Sequence, residues 1–304
     1  MSVNKNFYNE ASASKLGWDP SWFGEDEFDD ELVQAIENFQ TKHDLEADGL
    51  CGPMTYRRAL TEREALEAMA LNKYQSLIGQ DVKTITCNGR SVEIEWDKVV
   101  RLNDDNNLAL PSDCYRSCLD AEREPSMIVT HWDAALSAKS CHNILKKRGI
   151  STHFVIDNDG TIYQMVDTQH VGWHAGNRGV NNCSIGIDFS NAYYVKYQKY
   201  YETKGFGPRP VLDDSTVHGR TLKPHLGYYP AQLEAYKALV CALCDRYDIP
   251  LACPTDNDGK LLTSVHSEAA EATFKGIVSH YHLTKRKIDC AGLRLDKVID
   301  ELRD

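Results

Sequence analysis

Apolar positions first recur at helical spacing over 31–40, through Leu32, Val33, Ile36 and Phe39, with Asp29, Asp30 and Glu31 as an acidic start. His43, Leu45, Asp48-Gly49 and Gly52-Pro53 follow as a turn-rich stretch, and 54–60 reads as a second short helix. Residues 1–62 therefore form one small helical unit. The pattern over Glu64 to Leu77 predicts a helical connector, and Val82 to Val100 alternates around Asn88-Gly89, a hairpin signal. Residues 63–125 stay unassigned beyond that. They are either edge elements of a second domain or an insertion.

From Ser126 the periodicity changes. Met127 to Thr130 reads as a buried strand and 136–148 as a helix. Residues 153–165 read as a hairpin turning at Asn158-Asp159-Gly160, and 183–189 as another strand. A loop rich in Tyr and Pro (193–229) leads to a long helix at 230–247, a strand at 275–280 ending on His280, and a closing helix at 293–302. Strands alternating with helices predict an α/β domain over 126–304. Its mixed central sheet is flanked by helices, with a site at one edge where candidate ligands end the strands.

Composition narrows the function classes. A net charge of -11 argues against a general nucleic-acid binder, which needs a cationic surface for phosphates. No stretch approaches the ~18 apolar residues of a membrane span, and Met1 to Asn6 does not open a secretory signal. The expectation is a chain made in the cytoplasm, without membrane insertion and monomeric. The ten cysteines are expected to remain reduced. Cys241 and Cys244 have redox or half-zinc-site spacing, but they continue the 230–240 helical run and are read as two cysteines on a buried helix face.

The chemistry concentrates in two distant segments. Met127-Ile128-Val129-Thr130-His131-Trp132 is an apolar run ending on a histidine. Lys287-Ile288-Asp289-Cys290-Ala291-Gly292 offers a carboxylate two residues after a lysine and nine after His280. Two imidazoles and one carboxylate, with a fourth position open, make a catalytic zinc arrangement. A lysine beside the metal adds a cation for an oxyanion. His282 and Cys290, eight apart, form a rival pair for the same role.

Two resemblances give these residues a context. The order Ala-Ile-x-x-Phe-Gln-x-x-His-x-Leu-x-x-Asp-Gly-x-x-Gly-Pro-x-Thr over 35–55 resembles the small three-helix peptidoglycan-binding domain of cell-wall hydrolases. Residues 126–304 resemble the zinc-dependent N-acetylmuramoyl-L-alanine amidases, a fold shared with peptidoglycan recognition proteins. The likeness rests on Ile-Val-Thr-His-Trp at 128–132, His-Phe-Val-Ile-Asp-x-Asp-Gly-Thr-Ile-Tyr at 153–163 and Gly-Trp-His-Ala-Gly at 172–176. Asn-x-x-Ser-Ile-Gly-Ile-Asp at 181–188 and Ser-His-Tyr-His…Lys-Ile-Asp-Cys-Ala-Gly at 279–292 complete it.

The resemblance implies His131 and His280 as zinc ligands and Asp289 as the third, with Cys290 as the alternative. It implies Asp188 as the proton-transferring carboxylate, where many relatives carry glutamate, and Lys287 as the lysine beside the metal. His174 and Trp173 would face the substrate groove. His153 would contact substrate or support the ligands. Thr152 stands where phage members carry a catalytic tyrosine. The implied function is peptidoglycan hydrolysis at the amide between N-acetylmuramic acid and L-alanine, with Zn2+ as cofactor and peptidoglycan as partner. A wall-binding unit beside such a domain suggests a phage endolysin that reaches the host periplasm. The alternatives are a non-catalytic peptidoglycan-binding protein of this fold and a peptidase acting within the stem peptide.

Overall fold

The computed structural model describes residues 4–43, 45–63, 83–118 and 122–303. Contacts divide the chain into two units, Met1–Asp81 and Val82–Asp304. The helix expected over 64–77 lies outside the described residues.

In the first unit, helix α1 spans Lys5–Leu16, α2 spans Asp30–Lys42, and α3 covers 53–63. Asp29 starts α2 by accepting from the Glu31 and Leu32 amides, which satisfies N–H groups that a helix start leaves unpaired. Leu32 and Ile36 bury with Ala13, Trp18 and Cys51. The turn-rich stretch is held by a buried polar side chain. Gln40 donates to Asp48 Oδ1 (2.8 Å), Thr55 Oγ1 (3.0 Å) and the Leu50 carbonyl (3.1 Å), and accepts from the Gly49 amide (2.9 Å).

The second unit is built on a six-stranded mixed sheet. Its strands are β1 (Val99–Val100), β2 (Met127–Trp132), β3 (Phe154–Ile156), β4 (Ile162–Gln164), β5 (Ser184–Phe189) and β6 (Gly276–Ser279). The order across the sheet is β6-β2-β5-β3-β4-β1, and only β3 and β4 run antiparallel to each other. Helix α4 spans Ala138–Arg148, α5 spans Pro230–Tyr247 and α6 spans Leu295–Arg303.

Strands β2, β5 and β6 are buried along their whole length, as expected for parallel strands covered on both faces. Side chains alternate between those faces. Ile128, Ile185, Ile187 and Ile277 pack with Tyr236, Leu239 and Leu243 of α5. Met127, Val129 and Val278 form part of a separate cluster, and Val155 packs with Ala138 and Cys141 of α4. Register pairs Val129 with Gly186 and His131 with Asp188. Thus His131 and Asp188 share the face opposite α5, at the carboxyl ends of adjacent parallel strands, where open α/β sheets place their ligands.

Residues 83–118 of the unassigned stretch belong to this unit. Thr84–Cys87 and Arg90–Glu93 pair antiparallel, with Asn88 (φ 52°) and Gly89 (φ 69°) at the turn. Those two positive φ values are what a two-residue hairpin of this twist demands. Gln164 fastens the hairpin to the sheet, exchanging two 2.7 Å hydrogen bonds with the backbone of Thr86.

Two expectations need correction. Cys244 is buried but Cys241 is exposed, so the pair does not share a buried face. The stretch 193–229 is not a plain loop. It holds a short helix, Gln198–Thr203, and short paired strands, organised by buried Arg209. That guanidinium lies 4.5 Å and 4.4 Å from the ring centroids of Tyr201 and Tyr229. It also donates to the carbonyls of Ser190 (2.6 Å) and Gly227 (2.7 Å). All ten cysteines are free. No helix among the described residues is long and apolar enough to cross a membrane.

Candidate metal centre and active site

His131 lies within β2, and His280 opens the 3₁₀ turn that follows β6. Asp289 comes from the loop before α6. The Tyr281 amide donates to the Asp289 carbonyl (3.0 Å), tying that loop back to the turn carrying His280. All three side chains are buried. Their ligand atoms converge: His131 Nδ1 to His280 Nδ1 is 2.9 Å, His131 Nδ1 to Asp289 Oδ2 is 3.2 Å, and His280 Nδ1 to Asp289 Oδ2 is 3.0 Å.

Two neutral imidazoles carry one N–H each, and the rings face one another through the same nitrogen type. Protons serve this triangle poorly. Metal bonds of ~2.0–2.1 Å arranged tetrahedrally put neighbouring donor atoms ~3.3 Å apart, so the triangle has the size and donor chemistry of three zinc ligands. Burial lowers the His131 pKa to about 4, keeping its ring neutral as a ligand must be. Burial alone would raise the Asp289 carboxyl, but hydrogen bonds with His131 and His280 outweigh it and hold the group well below the usual carboxylate range.

The rival pair is not assembled. His282 accepts from the Ser279 amide at Nδ1 (3.0 Å) and donates from Nε2 to the Leu262 carbonyl (2.7 Å), leaving no nitrogen for a metal. Cys290 is fully buried, and burial, then the Asp289 charge, push its thiol well above the ordinary value.

A cavity of about 240 Å³ opens over the triangle, lined also by Asp188, Lys287 and His174. Asp188 is buried beside two carboxylates, Asp133 and Asp289, and burial followed by those charges pushes its pKa well up. A carboxyl so placed binds a proton readily, as a proton carrier in amide hydrolysis must. Asp133 and Arg148 also line this cavity. Neither stood out in the sequence: Asp133 lies one residue beyond the Ile-Val-Thr-His-Trp stretch, and Arg148 reaches the cavity from α4.

The remaining candidates divide. His174 borders the cavity, yet both ring nitrogens are engaged inside the protein: Nδ1 with His131 Nε2 (3.1 Å) and Nε2 with Ser184 Oγ (3.3 Å). Contact with substrate through a ring nitrogen would have to exchange one of these two bonds. His153 is fully buried, accepting from the Gly186 amide at Nδ1 (3.0 Å) and reaching the His170 carbonyl with Nε2 (3.1 Å). Both of its ring nitrogens are thus held by backbone groups. Trp173 is 38% exposed and does not line the metal cavity. It lines a separate cleft of about 380 Å³ with Arg116 and Arg178. Thr152 is wholly buried with its hydroxyl unpaired, out of reach of the chemistry expected of a tyrosine there.

A mixed α/β sheet with a buried His-His-Asp triangle at its carboxyl edge, opening on a pocket with a further carboxylate and a lysine, has the arrangement of a hydrolase. The N-acetylmuramoyl-L-alanine amidase family model matches residues 121–291, and a putative peptidoglycan binding domain matches 14–58. The chain belongs to the N-acetylmuramoyl-L-alanine amidase family. Its function is cleavage of peptidoglycan at the amide joining N-acetylmuramic acid to L-alanine.

Similar solved structures include the endolysin amidase LysCS from Clostridium intestinale, at 19% identity and TM-score 0.38, covering 68% of this chain and 95% of that one. AmpDh3 from Pseudomonas aeruginosa, in complex with anhydromuramic pentapeptide, has 20% identity and TM-score 0.38, covering 64% of this chain and 66% of that one. AmiD from E. coli, in complex with an anhydro-muramyl peptide substrate, has 22% identity and TM-score 0.31, covering 44% and 49%. No curated protein matches the chain.

Proposed function

We propose that this amidase works with zinc held by His131, His280 and Asp289, and that residues 1–62 hold it on the wall it cuts. The observation that carries this reading is the triangle of two imidazole nitrogens and one carboxylate oxygen, 2.9–3.2 Å apart at the floor of a cavity. Zinc in such a ligand set supplies Lewis acidity toward the scissile carbonyl and activation of a water. Asp188 accepts the proton of the attacking water and later delivers it to the departing alanine nitrogen, so that the C–O bond forms and the C–N bond breaks without releasing an amide anion. The Lys287 ammonium, on the same cavity wall, offsets negative charge developing on the carbonyl oxygen. The wall-binding unit raises the local concentration of the catalytic unit at the sacculus. A module that grips the wall joined to one that cuts it fits a bacteriolytic role such as that of a phage endolysin.

Mass analysis of material released from purified peptidoglycan tests the reading. Stem peptides with a new free alanine amine, released from intact glycan and abolished by a chelator, are the expected products. Peptides cut within the stem, or full release by metal-free protein, would overturn it.

A further inference from the structure

Beside the zinc triangle runs a line of hydrogen bonds whose direction is fixed by its far end. Ser184 Oγ lies 2.6 Å from the Val180 carbonyl, which can only accept, so the single hydroxyl proton is spent there. The 3.3 Å contact between Ser184 Oγ and His174 Nε2 then needs its proton from the ring. A neutral His174 with Nε2–H has a bare Nδ1. That Nδ1, 3.1 Å from His131 Nε2, must accept from His131. His131 therefore carries its proton on Nε2 and presents an unprotonated Nδ1 toward His280 and Asp289. Every step follows from one backbone carbonyl at the end of the row.

The surroundings hold this row in place. Gly186, between Ser184 and Asp188 on β5, sits directly against the His174 ring. A Cβ at 186 would lie 2.7 Å from His174 Cγ and 2.8 Å from Thr152 Oγ1, closer than side chains pack. The Asn181 side chain accepts from the Ala175 amide (2.9 Å), fixing the loop that carries His174. Buried Arg123 donates to the carbonyls of Thr168 (2.9 Å), Asn181 (2.9 Å) and Ser184, joining both ends of the loop to the strand.

We infer that His174 and Ser184 are positioning residues that set the tautomer and orientation of His131 for metal binding, by the relay Val180 carbonyl–Ser184–His174–His131. This rests on the reading of His131 as a zinc ligand. A partner hydrogen-bonded to the far nitrogen of a ligating histidine typically matters 10- to 100-fold in metal affinity. His174 meets the triangle at His131 Nε2, the ring nitrogen that faces away from the other two ligands. Its contribution runs through His131.

The test uses the full chain labelled with 15N-histidine. Two-bond proton–nitrogen correlations should show His174 protonated at Nε2 and bare at Nδ1, with and without zinc. Zinc affinity, measured by competition with a chelating dye, should fall roughly 10- to 100-fold in both His174→Ala and Ser184→Ala. His174→Asn, whose amide oxygen can replace Nδ1 as the acceptor for His131, should recover most of that loss. Ser184→Ala is a one-atom deletion in a strand and keeps the test alive should His174→Ala fold poorly. A His174 protonated at Nδ1 in a chain that binds zinc normally would overturn the relay alone. So would wild-type zinc affinity in both alanine variants. A wild-type chain that binds no zinc would overturn the ligand reading and the relay's purpose with it.

Discussion

Asp289→Ala tests the metal centre most directly. The variant leaves His131 and His280 as the only protein ligands among the three converging side chains. Structural zinc binding is worth ~10–16 kcal/mol in total, so one ligand accounts for ~3–4 kcal/mol, or a roughly 10²- to 10³-fold loss of affinity. The readout is thermal stability with and without zinc. At zinc ~100 times the wild-type dissociation constant, binding stabilises the fold by ~2.7 kcal/mol. In a unit the size of Val82–Asp304 that raises the midpoint by about 5–11 °C. In Asp289→Ala, zinc at the same concentration should give ~0.4 kcal/mol or less, a shift under about 2 °C. Cys290→Ser is the control: its buried thiol is protonated and off the triangle. It can lower the zinc-free midpoint, but it should leave the zinc-induced increment unchanged. A full increment in Asp289→Ala, or its loss in Cys290→Ser, would refute the assignment.

Asp188→Asn keeps the ligand set and removes the proton carrier. Zinc should still shift the melting temperature while turnover of a soluble muropeptide falls by roughly 10²–10⁴-fold, and unimpaired turnover would clear Asp188 of the role. Lys287→Ala should also retain the metal and lose roughly 10²–10³-fold in kcat, whereas a pure rise in KM would make the lysine a substrate anchor. Gln40→Ala strips the wall-binding unit of the side chain that pairs with Asp48, Gly49, Leu50 and Thr55, at ~1–3 kcal/mol for each buried group left unpaired. Retention on sacculi should drop while muropeptide turnover is unchanged, and parallel loss of both would tie the unit to catalysis.

How much of this was legible in the sequence depended on how local its cause is. The start of α2 is written in Asp29, which caps it. The strands β2, β5 and β6 are short apolar runs, because both faces are covered. The edge strand Val99–Val100 is two residues long and exists only because Ile162 and Tyr163 pair with it. Nothing within it announces a strand. The order in 193–229 likewise depends on Arg209 reaching the carbonyls of Ser190 and Gly227, contacts that periodicity cannot register.

The site shows the same division. Residue spacing left two ligand sets open, His280 with Asp289 and His282 with Cys290, since 280 and 282 would share a face if the strand continued. It does not continue. The chain enters a 3₁₀ turn at His280, and His282 folds back onto the Ser279 amide, so the turn separates two histidines that parity would have kept together. The motif around His174 pointed to the wall of the cavity, which the residue borders. A histidine preceded by an exposed tryptophan suggests a groove residue, and only the tertiary contacts show both its nitrogens turned inward, to His131 and Ser184. Motifs bring the reacting groups to one place. Which nitrogen carries the proton is decided by partners far away in sequence, and here the deciding atom is a backbone carbonyl, Val180, that no side-chain motif could reveal.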